Sequence, residues 1–97
     1  MNHDATPAVL PATLDLTAAE ALREQLLDAC SRPGDVPVDA AAVDTITSPC
    51  IQVLLAASRS LTDQGRRMVV TDPSPSFDAA FADLGLGTFL HDWSDNK

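Results

Sequence analysis

Three helix-start signals divide this chain, and the runs between them are short and apolar. Thr17-Ala18-Ala19-Glu20 has the spacing of a capping box, in which the Thr oxygen accepts from the amide three residues on and the Glu reaches back. Ser48-Pro49 and Ser74-Pro75 each set an N-cap residue before a Pro, which lacks the N–H that a helix start leaves without a partner. Helices alternating with short strands favour a largely parallel sheet with right-handed crossovers, so these signals confine the chain to an α/β fold, a small sheet packed with helices.

The segments between the signals fill in that order. Ala8 to Asp15 mixes Val9, Leu10 and Leu14 with Pro11, which suits an edge strand because Pro cannot donate to a ladder. Leu22, Leu26, Ala29 and Cys30 then recur at spacings of three and four, and Ser31-Arg32-Pro33-Gly34 ends that helix. Val36, Val38 and Ala40 alternate as a strand leading into Val43-Asp44-Thr45-Ile46. The second helix is expected from about Pro49 to Gln64 with Ser48 as its cap, Ile51, Leu54, Leu55, Ser58 and Leu61 facing inward, and Gly65 in the left-handed position that closes it. Met68-Val69-Val70 follows an exposed Arg66-Arg67 pair as a buried strand. Phe77, Ala80, Phe81 and Leu84 mark a third helix ending at Gly85, and Thr88-Phe89-Leu90 is expected as a last short strand.

A chain of 97 residues fits a single domain, residues 1–97, with residues 1–6 and 94–97 frayed. A domain of this size removes about 60–65% of its unfolded surface from water, enough for one core. The net charge of -8, with Arg and Lys scattered, argues against nucleic acid or anionic lipid as a partner. The start MNHDATPAVLPATLDL has no basic region followed by an apolar one, and no run approaches the roughly 20 apolar residues of a membrane span; a cytoplasmic protein without membrane insertion is expected. Cys30 and Cys50 lack the companions of a metal site and are expected to be reduced and buried. His3 and His91 lie near the ends, and neither a G-x-S-x-G nor a Gly-rich phosphate loop is present, so the expectation is no enzyme, no catalytic residue and no cofactor. The catalytic rival is Cys50 as a redox thiol, since a Cys in a first helical turn can have a lowered pKa.

Parallel folds gather their working surface at the carboxyl ends of the strands. Here those ends are Asp15 to Thr17, Thr45 to Cys50 and Asp72 to Phe77, which the topology brings to one edge. Asp15, Thr47, Ser48, Pro49, Cys50 and Ser74, with Gln52 a turn further along, form the candidate partner-binding face; Arg23 on the first helix is placed outside it. The plainer alternatives are turn residues at Asp15 and Asp72 and an ordinary capped helix start at Ser48. Trp93 is read as an anchor of the tail against the core, with an exposed interface hot spot as the alternative.

The stretches LPATLDLTAAEALREQLL, AAVDTITSPCIQVLLAASRSLTDQGRRMVV and PSFDAAFADLGL resemble the STAS family of anti-sigma-factor antagonists. Leu14-Asp15 stand where that family ends a strand in Leu-Asp, and Gly65 and Leu84-Gly85-Leu86 fit its helix ends. The resemblance implies a non-enzymatic bacterial module that docks on a protein partner. That partner is an anti-sigma, histidine-kinase-like ATPase, a chemotaxis complex, or the ATPase of a phospholipid-transport ABC system. The short form is most similar to stand-alone STAS proteins of chemotaxis clusters. Aligning the second helix by its apolar anchors puts Thr47 on the family's Asp, Ser48 on its first Ser, Pro49 on its phosphorylated residue, Cys50 on its Gly and Ile51 on its Leu. The phosphoacceptor is thus a Pro. Either the switch is lost, which the cap role expected of Ser48 favours, or Ser48 or Thr47 takes it over. Only about a dozen residues precede Leu14-Asp15 where the family has two strands, so the first edge strand is expected to be missing, leaving a sheet edge free.

Overall fold

The computed structural model describes residues 7–93, so the fraying expected of residues 1–6 and 94–97 lies outside the described residues. The elements are β1 (Ala8–Val9), β2 (Thr13–Leu14), α1 (Ala19–Cys30), β3 (Val36–Asp39), β4 (Thr45–Ile46), α2 (Ser48–Asp63), β5 (Met68–Thr71), α3 (Pro75–Asp83) and α4 (Gly87–Trp93). All strand pairings among the described residues are parallel: β1-β3-β5 form one sheet and β2-β4 a second. The α/β class and the parallel order follow the alternation of helix starts and apolar runs.

Ala8 to Asp15 is not one strand. Pro11 has no N–H to give, and the ladder breaks around it. Leu10 N still donates to Asp39 O at 2.9 Å, and pairing resumes where Asp44 N donates to Ala12 O at 2.8 Å. The partner line bulges out over Ala40 to Asp44 at the same place, held by Ala41 N donating to Asp39 Oδ1 at 3.0 Å. The two sheets are therefore halves of one bent surface. Two short strands, not one, precede α1, but both lie on this single line of chain. β1 is left at an edge among the described residues, where Gln25 Nε2 donates to Val9 O at 3.1 Å.

α1 and α2 pack on one another, α3 packs on β4 and α4, and α4 also meets β5. The fully buried side chains include Leu10, Leu14, Val38, Leu54, Leu61, Phe77 and Phe81. The helical stripes were expected one residue too wide. Leu55 is only half-buried, and Leu84, at the C-cap of α3, is 51% exposed.

Gly65, at φ +73, ends α2 in a Schellman motif: its N–H donates to Thr62 O at 3.0 Å, and Arg66 N donates to Leu61 O at 2.8 Å. The Arg66-Arg67 pair is half-buried rather than exposed. Arg66 donates to Gly34 O at 2.8 Å, to Cys30 O at 3.0 Å and to Arg32 O, tying the end of α1 to the end of α2. Thr88-Phe89-Leu90 belongs to α4 and not to a strand. Leu86, Leu90 and Trp93 are spaced four and three apart, so a helix turns all three toward the core where a strand would not. No helix among the described residues is long and apolar enough to cross a membrane.

Candidate functional site

The end of β2 and the start of α2 are built into one another. Thr47 is extended, at φ -106 and ψ 165, and its carbonyl accepts from Cys50 N at 3.0 Å and Ile51 N at 3.1 Å. Thr47 is therefore the N-cap, not Ser48; Ser48 and Pro49 occupy the first two helical positions. The Thr47 hydroxyl does not cap its own helix but donates to Leu14 O at 3.0 Å, and Thr47 N donates to the same oxygen at 3.0 Å. Ser48 and Pro49 are both exposed, and the Ser48 hydroxyl has no hydrogen bond within the described residues.

Asp15 holds the other side of this junction. Its carboxylate accepts from Thr17 Oγ1 at 2.7 Å and from Ala18 N at 3.1 Å, closing a 3-10 turn over Leu16–Ala18 that precedes α1. The capping box expected at Thr17 is corrected accordingly: Asp15 is the cap, and Thr17 serves as a donor to it. The Thr17 hydroxyl, helped by the Ala18 and Thr17 amides, outweighs desolvation and holds the Asp15 carboxyl below its usual value. The Asp15 carbonyl accepts from Cys50 Sγ at 3.3 Å.

Cys50 is completely buried. Burial pushes its thiol up, and the nearby Asp15 carboxylate adds to the effect against the opposing Thr47 hydroxyl. The redox reading needed an accessible thiol with a lowered pKa, and the structure gives the reverse on both counts. Cys30 is half-buried, and burial raises its thiol too, with Arg66 opposing.

The third loop is tied to the segment that precedes β4. Ser74 is buried; its hydroxyl donates to Val43 O at 2.5 Å and accepts from Phe77 N at 3.1 Å, and its amide donates to Ala40 O at 3.2 Å. Its oxygen is spent capping α3 and pinning the Ala40–Val43 bulge, so Ser74 is removed from the partner-facing set. Asp72, exposed at φ 48, makes the left-handed turn out of β5, a conformation that Asp tolerates better than most residues.

Gln52 is exposed on α2, and it lines a groove between α1 and α2 together with Arg23. Arg23 thus adjoins the candidate face rather than lying outside it. Sequence reasoning also passed over Leu16, which is 71% exposed in the Asp15 turn. The signal available was an apolar residue that belonged to no helical stripe. Trp93 is an anchor: it is 3% exposed, and its indole N–H donates to Ser58 Oγ at 2.8 Å. Among the described residues no three His, Cys, Asp or Glu side chains group as metal ligands.

The arrangement that results leaves Leu16, Ser48 and Pro49 exposed on two segments that the Thr47–Leu14 and Cys50–Asp15 bonds join, with the Asp15 carboxylate in one of them. A family model described as Mlab, STAS domain, matches residues 4–91. No curated protein and no solved structure gives a match.

Proposed function

The chain belongs to the STAS domain family, and from that premise we propose that it is a non-enzymatic cytoplasmic signalling module. It docks on an ATPase-type protein partner through the junction of the Asp15 turn with the start of α2, and it does so without a phosphorylation switch. STAS domains interact with protein partners, and this chain is an anti-sigma-factor-antagonist-like module of that kind. Two unpaired cysteines suit a reducing, cytoplasmic setting.

The observation that carries the reading is Pro49. It stands exposed in the first turn of α2, between exposed Ser48 and fully buried Cys50, at the position to which the family resemblance assigns the phosphorylated hydroxyl. A Pro there cannot be charged, so docking is constitutive.

A second reading is favoured by Ser48 itself. Thr47 is committed to Leu14 O, but Ser48 is exposed and its hydroxyl has no hydrogen bond within the described residues, so a phosphate on it would enjoy the positive end of α2. Incubation with an ATPase-type kinase partner and ATP separates the two by mass spectrometry. No phosphate is expected; stoichiometric phosphate on Ser48 overturns constitutive docking in favour of a displaced switch.

The docking face is tested by Ser48→Asp. Acidic residues are welcome at a helix start, so stability stays within about 1 kcal/mol of the parent. A new charge under a docked partner weakens binding by about 2 kcal/mol or more when it finds no counter-charge. Asp83→Ala, at the far end of α3, is the control that leaves affinity unchanged. Equal affinities for the parent and Ser48→Asp would place the partner elsewhere.

A further inference from the structure

α2 carries no charged residue from Ser48 through Ser58, although Ser48, Pro49, Gln52 and Ala56 are exposed along it. A solvated helix face ordinarily carries charge, and depletion of charge is the compositional mark of the centre of a protein interface. The neutral face runs away from the Asp15 junction and becomes one wall of the groove between α1 and α2. That groove holds about 330 Å³, the lower end of the size of a binding pocket. Val53, Ala57 and Cys30 give it an apolar lining, and Leu27 stands 55% exposed on the α1 wall. An apolar socket with a large unburied Leu at its rim is a surface that another apolar group can cover.

Arg23 decides what kind of group. It is the groove's one charged lining residue, and it makes no ion pair within the described residues, in a chain of net charge -8. Two copies of so acidic a chain repel one another, which disfavours self-association over this face. A carboxylate from another protein would find in Arg23 a guanidinium whose donors are unengaged within the described residues, on the rim of an apolar socket. Small residues along α2 admit a helix closely, and a single amphipathic turn can present the apolar and the acidic side chain together.

We infer that the α1–α2 groove receives an apolar side chain from an amphipathic helix of the partner, with an acidic residue of that helix paired to Arg23. This rests on the docking reading above and extends its surface from the first turn of α2 to the groove. Binding at the Asp15 junction and binding in the groove are separable events at two ends of one face.

A photo-cross-linking amino acid placed in turn at Leu27, Ser48 and Arg59 in the full chain, in its host cell, tests the inference. The expected result is one and the same protein cross-linked from positions 27 and 48 and not from 59, with the position-27 adduct on an amphipathic segment that contains Asp or Glu. That protein, purified, then serves as the probe in titrations. Leu27→Ser and Arg23→Glu each weaken it about tenfold or more. Its addition slows maleimide reaction of Cys30 in the parent, while buried Cys50 stays silent. Cross-linking from position 48 alone, with Cys30 unprotected, overturns the groove and leaves the docking reading standing. Cross-linking from 27 to a second copy of the chain overturns the partner helix, and absence of cross-links from both positions overturns the docking reading as well.

Discussion

Asp15 serves two elements at once, its carboxylate closing the turn before α1 and its carbonyl receiving the Cys50 thiol at the start of α2. Because hydrogen bonds hold its carboxyl below the ordinary value of 3.8, the folded state binds the proton less readily than the unfolded one. The stability this contributes is present above that ordinary value and is lost as pH falls through the lower folded value. Asp15→Asn keeps an acceptor for the Ala18 amide, since Asn caps as well as Asp, but it removes the charge. The variant is therefore less stable than the parent at neutral pH, and the gap closes as pH falls through the lowered folded value. Denaturant midpoints measured across that range check it; a gap that stays constant with pH would show that the Thr17 and Ala18 bonds do not hold the ionised form. Ser48 and Thr47 illustrate the same dependence on neighbours. They are adjacent hydroxyls at a helix start, yet one is bound to a carbonyl 33 positions away and the other has no hydrogen bond within the described residues.

α2 shows what a helix reveals of itself and what it withholds. Leu54 is fully buried and Leu55 half-buried, so Leu54→Ala is expected to cost about 2–5 kcal/mol and Leu55→Ala about half as much or less. Equal shifts in urea midpoint would mean that the inward face is centred one residue further along. The ends of α2 and α3 were legible in the sequence to within a residue because Pro, Ser and Gly are placed there by local backbone requirements. The cap of α2 was misplaced by one residue because Thr47 is fixed by Leu14, a partner that no local pattern contains. Pro11 announced an edge strand but not the break it makes, since the break depends on the matching bulge at Ala40 to Asp44. α4 was misread because Thr88-Phe89-Leu90 is too short to show its period without Leu86 and Trp93. The groove beside Gln52 was invisible for a similar reason. Arg23 reaches it only through the packing of α1 on α2, which periodicity predicts in kind but not in register.

At the scale of the whole molecule, the α/β order and the family were readable from punctuation and spacing, whereas the working end had to be assembled from contacts between loops. Two of the three expected loops join there directly, while Ser74 of the third is engaged with the bulge before β4. One contiguous core links these parts from Ala8 to Trp93, with few large side chains to carry it. Phe77 and Phe81 have centroids 4.9 Å apart, and Trp93 meets Phe81 edge-on at 5.4 Å. As the chain has a single Trp, its fluorescence reports on the docking of α4 against α2 and α3, while far-UV circular dichroism reports on all the helices. If α4 is an integral part of the core, the two signals follow one urea transition with a common midpoint. Trp93→Phe keeps the aromatic contact but leaves buried Ser58 without its donor, and should lower stability by about 1–3 kcal/mol as judged by circular dichroism. A parent protein whose fluorescence transition precedes the loss of helix would show instead that α4 undocks from α2 as a separate unit, with the Ser58 bond too weak to couple it to the rest.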